Sequence, residues 1–154
     1  METISERIKR IGIDLPEPYP PAAMYTPAVT IDGLVFTSGN DCRMNGTLLY
    51  KGKVGTDLTT EQGKEAARQT MINLLSTLNQ HLGELERVEK VVKILGFVNS
   101  SPGFDEQPYV IDGASELLEE IFGEKGIHAR SAIGTSDLPF GTPVEIEMIV
   151  KIKS

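Results

Sequence analysis

Arg130 is the first residue whose type could do chemistry in this acid-rich chain. It stands between Ala129 and Ser131 at the start of a β-prone run. A planar guanidinium can hold a carboxylate through two parallel hydrogen bonds, which a lysine ammonium does less well. The plainer reading is a solvated or ion-paired arginine at a strand end, because structural ion pairs look the same. Glu145 comes next. It points opposite to the apolar side chains of its run and shares that face with Glu147. A carboxylate near a cationic pocket can position a water or relay a proton, whereas the plainer reading is a solvated strand face. Tyr25 and Ser38 each carry a hydroxyl able to orient a polar ligand. Gly39, directly after Ser38, lets a ligand or a neighbouring chain approach the backbone closely. His81 and His128 read as structural, since no Ser–His–Asp order or spacing accompanies them. Cys42 would be reactive only in an electropositive setting. The sequence contains no GxGxxG, Walker A or HExxH pattern.

These residues need elements to place them. Ile4, Ile8 and Ile11 mark a short amphipathic helix over 3–12. The proline-rich stretch Leu15 to Pro21 then reads as an extended connector. Ala28–Ile31 and Leu34–Thr37 are β-prone runs joined by Asp32-Gly33, a tight-hairpin signal. Segment 41–56 reads as a loop with room for a short strand. The clearest helix spans 60–82: Ala67, Met71, Leu74, Leu75, Leu78 and Leu82 line one face, Thr59 with Gln62 fits a capping box, and Gly83 ends it. Val88 to Val98 is nearly continuous in apolar residues, as in a strand covered on both faces or at an interface. A second helix runs from Pro108 to Phe122, with Pro108 suited to a first helical position. Strands over Ala129–Gly134 and Val144–Ile152 close the chain, the last alternating cleanly. The expected class is α+β, in the order β-β-α-β-α-β-β: a mixed sheet with two helices on one face. Residues 1–24 form a helix and connector packed on a domain of residues 25–154. The bare sheet face calls for cover, and a subunit interface is the natural candidate.

Composition narrows the function classes. The chain has 154 residues, 40% hydrophobic and 24% charged, with a formal net charge of -7. That balance is globular, and the acidity with no lysine or arginine run argues against nucleic acid as the main partner. One cysteine permits no intrachain disulfide, and no Cys/His cluster suggests zinc. No apolar run approaches the roughly 18 residues of a bilayer span. The charged opening METISERIKR lacks a signal-peptide core, so the expected location is the cytoplasm.

Taken together, several segments resemble the RidA/YjgF family, whose members also carry the names endoribonuclease L-PSP-like and translation inhibitor. The resemblance covers about Tyr25 to Lys151. It rests on Val35-Phe36-Thr37-Ser38-Gly39, on Ala129-Arg130-Ser131, and on Leu138-Pro139 followed by Val144-Glu145-Ile146-Glu147, with ungapped family spacing from Arg130 to Glu145. Asp112 to Ser115 and Gly126 to Ser131 look more like a branch of longer, chorismate-mutase-like bacterial members. The resemblance implies a chorismate-mutase-like domain that forms homotrimers with pockets between subunits. It implies hydrolysis of reactive enamines and imines such as 2-aminoacrylate to 2-keto acids and ammonia, with no metal or organic cofactor. Under it, Arg130 anchors a substrate carboxylate, Glu145 helps position the attacking water, and Tyr25, Ser38 and Gly39 line the pocket. The family's pocket asparagine corresponds here to Gly113, and its frequent cysteine to Ala132. About five extra residues precede the second helix. A keto-acid or carboxylate sensor without catalysis is the alternative from another class. A ribonuclease ranks third, against the acidic charge.

Overall fold

Capping chemistry and turn residues divide the chain. The computed structural model covers residues 1–154. Helix α1 (Ile4–Arg10) opens at Thr3 and α2 (Thr60–Leu82) at Thr59. At Thr59 the hydroxyl accepts from the Gln62 amide at 3.1 Å, and the Gln62 side chain accepts from the Thr59 amide at 2.9 Å. That reciprocal pair satisfies two orphan donors of the first turn. Strands β1 (Ala28–Ile31) and β2 (Leu34–Thr37) form the expected hairpin around Asp32-Gly33. The loop region holds a small hairpin, β3 (Arg43–Met44) with β4 (Thr47–Leu48), turned by Asn45-Gly46 at positive φ. Strand β5 (Val88–Asn99), helix α3 (Gln107–Phe122), β6 (Ala129–Thr135) and β7 (Val144–Ile152) complete the chain.

The main sheet has the order β1-β2-β7-β5-β6. Only β5 and β6 run parallel, because the crossover through α3 separates them; the other pairs are antiparallel. Helices α2 and α3 cover one face. Core side chains from the sheet (Val35, Val91, Ile94, Ile146, Met148, Val150) meet Met71, Leu74, Leu78, Ile111, Leu118 and Ile121 from the helices in one cluster of 29 buried residues. Ile8 and Ile13 from the N-terminal segment belong to the same cluster. Gly113 fixes how α3 is rotated. A Cβ there would lie 2.1 Å from the Lys64 carbonyl oxygen on α2, so only glycine permits this helix approach.

The other sheet face stays open within the chain. Val29, Ile31, Phe36, Val92 and Ile133 are exposed on it. The near-continuous apolar run of β5 therefore has one cause in its register. Shifts between Val88 and Lys90, and between Val91 and Lys93, break the alternation, so that Val88, Val91, Ile94, Gly96 and Val98 all reach the helix side. Val92, in contrast, points into the open face. No helix is long and apolar enough to cross a membrane.

Candidate functional site

A cleft of about 540 Å³ opens where the connector, the end of β2, α2 and the loop before β7 meet. Tyr25, Ser38, Gly39 and Glu145 all line it, so the structure gathers four of the six residues singled out in the sequence. The backbone explains why. After Thr37 the chain leaves its pairing with β1, and Asn40 bridges to Ile146 on β7 instead, its amide reaching the Ile146 carbonyl at 2.9 Å. That bridge lays Gly39 beside Glu145. A Cβ on Gly39 would sit 2.9 Å from Glu145 Oε2, so the carboxylate rests against bare backbone. No acceptor within the chain takes the Gly39 amide proton, which is free to meet a ligand. Ser38 donates its hydroxyl proton to the Thr26 carbonyl at 2.6 Å and keeps its lone pairs for the cleft. Tyr25 accepts from the Ala22 amide at 3.2 Å and keeps its phenolic proton.

Glu145 is half-buried on the open sheet face, opposite Phe97 on β5. Burial holds its pKa above the ordinary carboxylate range, and the nearby charges of Asp41 and Glu147 push the same way. A carboxyl group so placed exchanges a proton closer to neutral pH than a solvated one. The linkage has a definite sign. The folded chain binds more protons than the unfolded chain between the ordinary glutamate value and the raised one, so this group's contribution to stability falls as pH rises through that window. Glu145→Gln is expected to raise Tm at neutral pH and to flatten its decline with pH. Thermal scans between about pH 5 and 8 check this. A lower Tm for the variant at neutral pH would mean that the charged carboxylate is itself held by the fold.

Sequence reasoning left out the opposite wall. Arg43 pairs with Asp41 at 3.2 Å, and its guanidinium lies 5.0 Å from the centre of the Phe140 ring. Phe140 is exposed and takes φ 61°, ψ 8°, a left-handed conformation that a bulky residue adopts only under constraint. Buried Asn73 on α2 holds this wall, donating to the carbonyls of Asp41 at 2.8 Å and Arg43 at 2.9 Å. Nothing in the spacing of Asn73 along an apolar helix marks that role. Cys42 is fully buried between the two, its thiol toward the Tyr50 carbonyl at 3.6 Å.

Arg130 lies elsewhere. It pairs in register with Ile94, whose side chain is in the core, and so faces the helices rather than the cleft. Glu145 pairs with Phe97 on the other face. Two strand spacings across and three residues along separate them, roughly 10 Å in each direction, with the sheet between. One chain cannot bring the two together. Arg130 instead grips one stripe of α3. It donates to the Pro108 carbonyl at 3.1 Å and the Ser115 hydroxyl at 3.0 Å, and pairs with Asp112 at 2.9 Å. Pro108, Asp112 and Ser115 stand at i, i+4 and i+7, and Gly113 sets this stripe toward β6 by facing α2. Gly113 itself is buried against Lys64 and lines neither the cleft nor the arginine. Ser115 continues to His128 Nε2 at 2.9 Å, and His128 Nδ1 donates to the Gly126 carbonyl at 2.6 Å. Arg130 Nε keeps no partner within the chain.

The chain has relatives of known sequence and structure. The family model described as "YjgF/chorismate_mutase-like, putative endoribonuclease" matches residues 5–149. Protein TCP17 of Trypanosoma cruzi is 39% identical over 152 residues, covering 98% of this chain and 95% of its own. The crystal structure of Atu1372, a protein of unknown function from Agrobacterium tumefaciens, is 38% identical with a TM-score of 0.91, over 97% of this chain and 92% of its own. A structure from Shewanella oneidensis, called a "putative endoribonuclease", is 32% identical with a TM-score of 0.95, over 98% of this chain and all of its own (100%).

Proposed function

The chain belongs to the YjgF/chorismate-mutase-like family, and from that premise we propose that it hydrolyses small reactive enamines and imines to 2-keto acids and ammonia. The observation that carries the reading is Glu145, half-buried, with its pKa raised, resting on Gly39 at the wall of an open cleft. An imine carbon is already electrophilic, so hydrolysis needs positioning more than a strong nucleophile. 2-Aminoacrylate tautomerises to 2-iminopropionate. Water, held by Glu145, adds to the imine carbon while a proton passes to the nitrogen. The resulting carbinolamine loses ammonia as its C–N bond breaks and the carbonyl forms, giving pyruvate. The Gly39 amide and Tyr25 hydroxyl are free donors for charge that develops on oxygen.

In this reading Arg130 anchors the substrate carboxylate from a second copy of the chain, in a homotrimer with its pockets between subunits. The separation of Arg130 and Glu145 on opposite faces supports that placement. So does the exposed apolar face of Val29, Ile31, Phe36, Val92 and Ile133, which is of the kind that subunits cover. The ribonuclease named for the Shewanella protein fits less well. Within one chain Asp41, Glu145 and Glu147 face the cleft against Arg43 alone, and an Arg130 added from a second copy still leaves more carboxylates than cations, too few cations for the successive phosphates of an RNA strand.

The test is pyruvate release from 2-aminoacrylate generated in situ, with and without the wild-type protein. Acceleration above the spontaneous rate is the expected result. An unchanged rate, extended to imines of longer amino acids that the cleft has room for, removes the deaminase reading.

A further inference from the structure

Arg130 is not a bare anchor: the chain supplies it with a carboxylate of its own. Asp112 Oδ1 lies 2.9 Å from Nη1, and both side chains are only partly exposed, at 25% for the arginine and 36% for the aspartate. The contact is built into the helix rather than accidental. Gly113 faces α2 at a place where any Cβ would strike the Lys64 carbonyl, and with that face fixed the preceding position is turned toward β6. Ser115 and the Pro108 carbonyl take two further N–H groups of the guanidinium. What remains for a ligand is the edge that carries Nε. A carboxylate bound there would share one guanidinium with the Asp112 carboxylate, and like charges held on one partly buried cation repel.

We propose that Asp112 is a specificity-determining residue: it offsets the charge of Arg130 and disfavours ligands that present a lone carboxylate, relative to ligands of the same shape that present a neutral acceptor. The inference rests on the reading of Arg130 as the ligand anchor. It assigns to Asp112 the setting of how tightly simple 2-keto and 2-imino acids are held, and it makes tight capture of the smallest carboxylates a property the site gives up. Ser115 has the opposite role. Its hydroxyl, relayed to His128, orients the guanidinium without adding charge.

The experiment is calorimetric titration of the oligomer as purified with pyruvate and with pyruvamide, its neutral isostere. It uses wild type, Asp112→Asn, Asp112→Ser and Ser115→Ala, each confirmed folded by its thermal transition. Asp112→Asn and Asp112→Ser are expected to bind pyruvate roughly tenfold more tightly than wild type while pyruvamide affinity stays constant. Ser115→Ala is expected to weaken both ligands. If wild type binds pyruvate and the Asp112 variants bind it equally or more weakly, Asp112 merely positions the arginine; the proposal is overturned and the anchor reading stands. If no form binds pyruvate, the anchor reading fails and takes the proposal with it.

Discussion

With Arg130 as the proposed carboxylate anchor, Arg130→Ala is expected to lower kcat/KM for 2-aminoacrylate by roughly a hundredfold to a thousandfold, through the loss of charge-assisted hydrogen bonds to that carboxylate. The loss divides between KM and kcat. An unanchored imine binds weakly, and it also presents its carbon to the held water in fewer productive orientations. Arg130→Lys keeps the charge but not the planar fork, and is expected to recover only part of the loss. Stability should move little. The Asp112 carboxylate left behind is partly exposed and can be solvated, so Tm is expected to stay within a few degrees of wild type. Pyruvate release at several substrate concentrations, with a thermal scan of each variant, separates the two effects. Full activity in Arg130→Ala would place the anchor elsewhere, with Arg43 the next cation to examine, since it lines the same cleft as Glu145.

Much of this geometry is legible in the sequence, and the part that is not has a physical reason. Thr59 with Gln62 announced the long helix because a capping box is a local interaction within four residues. The strict alternation of β7 placed Glu145 opposite the apolar side chains, where it is found. Arg130 gave no such signal. Its strand lies at the sheet edge, and residues 129–135 are half-exposed or exposed throughout, so no alternation reveals which face the arginine takes. The face is set by the parallel register with β5 across the α3 crossover, and register between distant strands is tertiary information. The same holds for β5, where two register shifts bring Val88, Val91, Ile94, Gly96 and Val98 to the helix side and leave Val92 on the open face, a division that the near-continuous apolar run does not show. Asp112 is harder still. Its role depends on the rotation of α3, and that rotation is decided by one glycine meeting one carbonyl on another helix. A resemblance in spacing could carry Arg130 and Glu145 as a pair, but it could not show that one chain holds them on opposite faces of its sheet.

That opposition leads to the sharpest expectation. Arg130→Ala and Glu145→Gln should each be nearly inactive when purified alone, because every pocket in either oligomer lacks one of the two groups. In mixed oligomers the defects fall on different chains. A ring of identical heterologous interfaces takes the arginine of each pocket from one subunit and the glutamate from its neighbour. A Glu145→Gln chain donating an intact arginine to an Arg130→Ala chain with an intact glutamate then rebuilds a complete pocket. With equal amounts mixed at random, each interface has that pairing about one time in four, so co-expressed or co-refolded variants should regain about a quarter of wild-type activity. The gain is large against two nearly silent parents, and loss of subunit affinity cannot imitate it. Were both residues to act from the same chain, mixing would return only the average of the two parental activities, since no chain in the mixture carries both groups. Two affinity tags, one per variant, isolate the mixed species and let the recovered rate be set against the number of rebuilt interfaces. Silence in tandem-purified mixed oligomers would sink the shared pocket. Recovery would show that each pocket draws its arginine and its glutamate from different subunits, each subunit lending its arginine to a cleft it does not own.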